Sequence, residues 1–243
     1  MEKTELEYLK DHSILHFQSK IQDIVENEMG LSIILDKTFF YPQGGGQPSD
    51  SGEIRTENGT FIVDKVKLDE NGIVWHIGRK TEGSLAKGDT VEGSIDEPKR
   101  LLHSRIHSAG HVIDMAASQL GFTWKPGKGF HFPEGPYIEY IGEIDPNTKE
   151  QLILQLTEKA NQLVGENLPV TVIFATPEEM KQYCEFIPEK LPTNKPSRVV
   201  LFGDYGIPCG GTHVKNLSEI GKVTIRKIKL SQDTIRIGYD VER

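Results

Sequence analysis

The chain is short of cysteine, of positive charge and of long apolar runs, and each shortage excludes something. Two cysteines in 243 residues, Cys184 and Cys209, are too few for a secreted disulfide framework, and a chain of this length buries a core without such staples. The thiols are expected to be free or metal-bound in a reducing, cytoplasmic setting. The longest apolar stretches, such as Ile33-Ile34-Leu35, fall far short of the ~20 residues of a membrane span. The opening dozen residues hold Glu2, Lys3, Glu5, Glu7, Lys10 and Asp11, with no apolar core for a signal peptide. Against 36 Asp+Glu stand 28 Lys+Arg, a net charge of −8; this argues against indiscriminate coating of nucleic acid and leaves room only for local basic patches.

What is present divides near Pro98. Before it, Ser32 to Leu35, Thr60 to Val66, Ile73 to Ile77 and Thr90 to Ile95 are short runs of β-branched and aromatic residues, bounded by turn residues as strands are. Asn58-Gly59 and Asn71-Gly72 suit type I′ hairpin turns. Such strands hide their edges by closing into a small barrel. After Pro98, Leu102, Ile106, Ala109, Ile113, Ala116 and Leu120 recur at helical spacing, and Gly121 marks the stop. A second helix is predicted from Pro146 to Val164 behind Asp145 as N-cap, and Thr176-Pro-Glu-Glu179 reads as a capping box. Strands are predicted over Val170 to Phe174, Arg198 to Phe202, Lys222 to Leu230 and Thr234 to Val241. The expectation is an α+β chain: a small N-terminal β-barrel, residues 1–97, followed by a mixed α/β domain with an antiparallel sheet, residues 98–243.

The chemistry concentrates in two short motifs. His107-Ser-Ala-Gly-His111 puts two imidazoles one helical turn apart on one face, where both can reach one ion. Alone, HxxxH is more often a pair of surface or core histidines. Cys209-Gly-Gly-Thr-His213 supplies a thiolate and a further imidazole in a loop that glycines allow to bend tightly. Together these four residues offer one sulfur and three nitrogens, a set that suits one tetrahedral zinc per chain. The zinc can be a structural staple or a catalytic centre. A metalloprotease is excluded, because Ser108 stands where an HExxH enzyme carries its glutamate.

His107-x-x-x-His111, Cys209-Gly-Gly-Thr-His213-Val214 and Glu219-Ile220-Gly221, with Thr38-Phe-Phe-Tyr-Pro-Gln-Gly-Gly-Gly-Gln47-Pro-Ser-Asp50-Ser-Gly52 upstream, resemble in order and type the editing domain of alanyl-tRNA synthetase. The resemblance is closer still to the AlaX trans-editing proteins of medium length. It implies a zinc-bearing editing domain, with tRNA(Ala) as partner. The implied reaction is hydrolysis of the ester of serine, and also of glycine, on tRNA(Ala), with Ala-tRNA(Ala) spared. The alternative is a non-catalytic, zinc-stabilised RNA-binding module.

Gly45, Gly46 and Gln47 are candidate substrate-binding residues, since glycine permits close approach and the glutamine amide both donates and accepts hydrogen bonds. The competing reading is a barrel corner. Thr38, Thr123 and Thr212 are candidates for bonding a serine hydroxyl. Trp124-Lys-Pro-Gly-Lys-Gly-Phe-His131 interleaves rings with cations as an RNA-stacking loop does. Arg226, Lys227 and Lys229, with Lys99, Arg100 and Arg105, are candidate phosphate contacts weighed against ordinary solvated charge.

Overall fold

A computed structural model describes residues 2–189, 191 and 196–242. The chain forms two compact units, one of Met1–Gly44 with Pro48–Leu101, the other of Gly45–Gln47 with Leu102–Arg243. It is mixed α+β, as its patterning predicts. The divide falls a few residues beyond the expected 97/98 boundary, and three residues of the glycine-rich segment go with the second unit.

In the first unit six strands close a barrel: β1 (His16–Asn27), β2 (Gly30–Leu35), β3 (Gly52–Arg55), β4 (Gly59–Leu68), β5 (Val74–Gly83) and β6 (Thr90–Ile95). Their order is β1-β2-β5-β4-β3-β6, with β6 pairing back onto β1. Alternate side chains turn inward, as a pleated strand requires, so Phe17, Ile21, Ile33, Leu35, Ile54, Phe61, Val63 and Val91 fill the interior. Neither expected type I′ turn forms. Gly72 has φ +82 but Asn71 does not share a positive φ, because the Asp69 carboxylate accepts from the N–H groups of Asn71 and Ile73 and shapes a longer turn.

The glycine-rich segment is anchored in this unit by Asp50. Its carboxylate accepts from Tyr41 N at 2.6 Å and pairs with Arg100. Both charges are buried, and Arg100 also donates to the carbonyls of His12 and Phe39. Arg100 is therefore a structural ion-pair partner and not a surface phosphate contact. Removing either partner strands the other charge in the interior, at a cost of about 3 to 5 kcal/mol.

The second unit layers helices on sheets. α1 (Glu97–Gln119) starts five residues before its first periodic position, Leu102, and continues into this unit, and α2 (Lys149–Gly165) follows a 3-10 turn at Pro146–Thr148 capped by the Asp145 side chain. One antiparallel sheet runs β12 (Val223–Ser231), β13 (Thr234–Val241), β8 (Tyr137–Ile141) and β7 (Lys125–Phe130). A smaller one runs β9 (Val170–Ala175), β10 (Ser197–Phe202) and β11 (Tyr205–Pro208). α3 (Pro177–Met180) opens on the expected capping box, Thr176 and Glu179 bonding reciprocally. Ile106, Val112 and Ile113 of α1 and Leu156 and Leu163 of α2 share a core with Ile225, Ile237 and Tyr239. No helix among the described residues is long and apolar enough to cross a membrane.

One buried histidine sets a pH dependence for the barrel. His76 Nδ1 lies 2.9 Å from the Ile33 carbonyl and Nε2 lies 2.8 Å from Thr38 Oγ1, so the neutral ring donates to the carbonyl and accepts from the hydroxyl. Burial lowers its pKa from 6.5 to about 4, against the opposing pull of the Ile33 carbonyl. The unfolded chain thus takes up a proton near pH 6.5 that the barrel refuses until about pH 4. The stabilisation is complete above pH 6.5 and is lost as pH falls from there toward 4. Between pH 7 and 5 the native state should lose about 2 kcal/mol through this group. Urea unfolding, read by Trp75 fluorescence in a Trp124→Phe background, should show that increment in the parent and not in His76→Gln. Equal pH slopes in the two would contradict the assignment.

Candidate metal centre

The helical period of α1 brings His107 and His111 together, with ring centroids 4.9 Å apart. Cys209 follows directly on β11, and the loop to His213 closes over that helix. Arg198 on β10 fixes the loop by donating from Nη1 to the carbonyls of Cys209 at 2.6 Å and Gly211 at 2.9 Å. At residue 211 only glycine fits, since a Cβ there would stand 2.2 Å from Cε1 of His107. The result is the cluster expected from the motifs. One potential ligand atom from each of His107, His111, Cys209 and His213 lies within 4.8 Å of all the others, and Cys209 Sγ is 3.6 Å from His107 Nε2 and 3.4 Å from His213 Nε2.

Behind the cluster each imidazole is held by its other nitrogen. Nδ1 of His107 lies 2.8 Å from Gln47 Oε1, that of His111 3.1 Å from Asp114 Oδ2, and that of His213 3.2 Å from Ser108 Oγ. An amide oxygen or a carboxylate can only accept, so Nδ1 of His107 and of His111 carries the proton and Nε2 offers its lone pair. The Nε2 of His111 is buried with no hydrogen-bond partner among the described residues. An orphaned nitrogen facing a sulfur and two further imidazole nitrogens fits a metal cation, and the donor set is the borderline-soft one that zinc favours.

The electrostatics agree. Burial works against a thiolate at Cys209, but the His111 imidazole and the Gly211 N–H, 3.4 Å from Sγ, outweigh it and hold the thiol below its ordinary value. Burial also disfavours charge on His111, yet Asp114 and Cys209 raise its pKa to about 10. A proton on His111 and a metal cation are alternatives here, both answering to the negative charge of Cys209 and Asp114. His107 is pushed well below 6.5 by burial and by neighbouring His131 and His111, which keeps it neutral as a ligand must be.

Gln47 sits behind the cluster. It is fully buried, its Oε1 accepts from Thr212 N as well as from His107, and its Nε2 donates to Thr212 Oγ1 at 2.9 Å. Gly46 abuts the strand β7, its carbonyl accepting from His131 N at 2.8 Å, and Gly45 lines the cavity beside the cluster. That cavity has a volume of about 320 Å³ and reaches His107, His111, Cys209 and His131. Of the threonines considered for a serine hydroxyl, Thr38 is buried in the barrel against His76 and Thr212 is enclosed by Gln47 and Ser104, whereas Thr123 is exposed. Arg105 bonds the Ile220 and Glu242 carbonyls, and the exposed Lys99 bonds Ser51 and Asp96.

Sequence reasoning missed three residues of the site. Ser108 and Asp114 lie at helical spacing from the ligands, a signal that was available. His131, read as part of a basic loop, stacks on His107 at 4.4 Å between centroids, and burial together with His111 lowers its pKa to about 3.

The model for class II (A) tRNA synthetases matches residues 3–99, and that for the second additional domain of threonyl and alanyl tRNA synthetases matches residues 197–237. The alanyl-tRNA editing protein AlaX-L of Pyrococcus horikoshii is 31% identical over 240 residues, covering 96% of this chain and 56% of that protein. The alanine–tRNA ligase of Methanosarcina barkeri is 31% identical over 240 residues, and that of Methanocorpusculum labreanum 33% over 228. These cover 96% and 91% of this chain but 25% and 24% of the ligases. The chain thus spans about half of the AlaX-L protein and about a quarter of each ligase. It is similar to an alanyl-tRNA editing protein and to a part of the alanine–tRNA ligases.

Proposed function

We propose that the chain is a zinc-dependent editing hydrolase that acts in trans, in the cytoplasm, on tRNA(Ala) mischarged with serine or glycine and spares Ala-tRNA(Ala). One zinc per chain is held by His107, His111, Cys209 and His213. The observation that carries this reading is the cavity: about 320 Å³ of space reaches three of the four ligand side chains, whereas a purely structural zinc is closed off by its ligands and their packing. Such a space accommodates an aminoacyl group and part of the ribose that bears it.

The zinc supplies Lewis acidity beside the ester and can lower the pKa of water toward ~7. The chain's own residues do the positioning. Gln47, Ser108 and Asp114 fix the three imidazoles through their Nδ1 atoms, so the lone pairs converge without rearrangement. Arg198 and Gly211 hold the Cys209 loop close against His107. Gly45 leaves room for the substrate at the cavity wall. The overall change is addition of water to the ester carbonyl and departure of the ribose oxygen with a proton, giving free serine and uncharged tRNA.

The direct test is release of labelled serine from Ser-tRNA(Ala), with Ala-tRNA(Ala) as control. The zinc-loaded protein should release serine, spare alanine, and lose the activity in Cys209→Ala. No release by folded, zinc-loaded protein would leave a zinc-stabilised RNA-binding module as the better account. Gln47→Leu, which removes the Nδ1 partner of His107, should weaken zinc binding by roughly 10- to 100-fold in competition with a chromophoric chelator. Unchanged zinc affinity would show that Gln47 does not orient the ligand.

A further inference from the structure

His131 is a third imidazole lining the cavity, outside the ligand cluster, and its hydrogen bonds leave it one defined task. Tyr239 OH lies 2.9 Å from the Ile106 carbonyl, which can only accept, so the single phenolic proton goes there. The phenolic oxygen must then accept from His131 Nδ1, 2.7 Å away. That assigns the proton of the neutral ring to Nδ1 and leaves Nε2 as an acceptor only. Nε2 has no partner among the described residues, and the ring lines the same cavity as His107, His111 and Cys209.

The surroundings keep this arrangement open. Residue 110 sits between the two helix ligands, and a Cβ there would stand 2.7 Å from Cε1 of His131 and 3.2 Å from Tyr239 OH; glycine leaves the notch that the ring enters. A Cβ at position 129 would stand 2.4 Å from Nε2 and block it. The carboxylates that line the cavity already have partners. Asp114 serves His111 and Tyr140, Glu139 pairs with Arg236, and Glu185 bonds Ser118 and Tyr205.

We propose that Nε2 of His131 reads the side-chain hydroxyl of a misattached serine, accepting its O–H hydrogen bond, and so separates serine from alanine. The proposal rests on the editing reading above and names the residue that sets its specificity. The physical basis is that a site with a buried acceptor binds an analogue lacking the donor poorly, since the acceptor then loses water without gaining a partner.

The test is equilibrium binding of non-hydrolysable 3′-aminoacylamino-3′-deoxyadenosines to the zinc-loaded chain by calorimetry, which needs no turnover. The parent should bind the seryl analogue at least about tenfold more tightly than the alanyl one. His131→Phe should abolish that preference, and His131→Gln, whose amide oxygen can accept, should restore part of it. A preference that persists in His131→Phe overturns the proposal, as does its absence from the parent. A measurement on the parent alone guards against misfolding of the variants. The β-fluoroalanyl analogue matches serine in size but has no proton to donate, so it should bind like alanyl, and binding like seryl would overturn the proposal. Seryl preference without hydrolysis of Ser-tRNA(Ala) would sink the editing reading while leaving the His131 assignment standing.

Discussion

The site depends on one constraint: an imidazole presents a chosen nitrogen to a metal only when its other nitrogen is held. Three different side chains meet that constraint here. An amide oxygen at Gln47, a carboxylate at Asp114 and a hydroxyl at Ser108 each take one Nδ1. With the rings so fixed, three Nε2 atoms and the Cys209 sulfur face one point without further adjustment. The supports also differ in charge. Only His111 has a carboxylate behind it, which makes it the most basic of the imidazoles whose shifts are resolved and the one most strongly drawn to carry positive charge beside Cys209.

The fold of the second unit follows from what those supports require. Residues 108 and 114 are available because α1 is regular through the motif, and Tyr140 on β8 donates to the second oxygen of Asp114 at 2.6 Å. The Cys209 loop follows a short antiparallel sheet whose middle strand carries Arg198. In this arrangement Gly45–Gln47 belong with the cluster although they lie some sixty residues before it in the chain. The barrel has its own logic, a closed sheet around an apolar interior with the Asp50–Arg100 ion pair and neutral His76 among its buried polar features.

Much of this was legible in the sequence where local periodicity decides the outcome. The 3.6-residue period of Leu102 to Leu120, the Asp145 cap and the Thr176 capping box depend on near neighbours, and each is found. The His/Cys cluster was legible because two weak motifs of compatible chemistry reinforce one another. Illegible were the features set by tertiary contact. Lys125-Pro-Gly-Lys-Gly-Phe130 lacks strand propensity and reads as a loop, yet it pairs as an edge strand with β8, where proline is tolerated. Gln47 looked equally suited to substrate or to a barrel corner, and its contact with His107 spans sixty residues. Asn71-Gly72 looked like a two-residue hairpin because nothing in the dipeptide reveals that Asp69 will claim the turn's amides.

On this geometry the four side chains would bind one metal together, with the imidazoles turned as their supports dictate. X-ray absorption at the zinc edge of the loaded protein measures this directly. The expected spectrum has one sulfur at ~2.3 Å and three imidazole nitrogens at ~2.0 to 2.1 Å, with the sulfur shell gone in Cys209→Ala. A shell of oxygen and nitrogen alone, or one with more than a single sulfur, would contradict it.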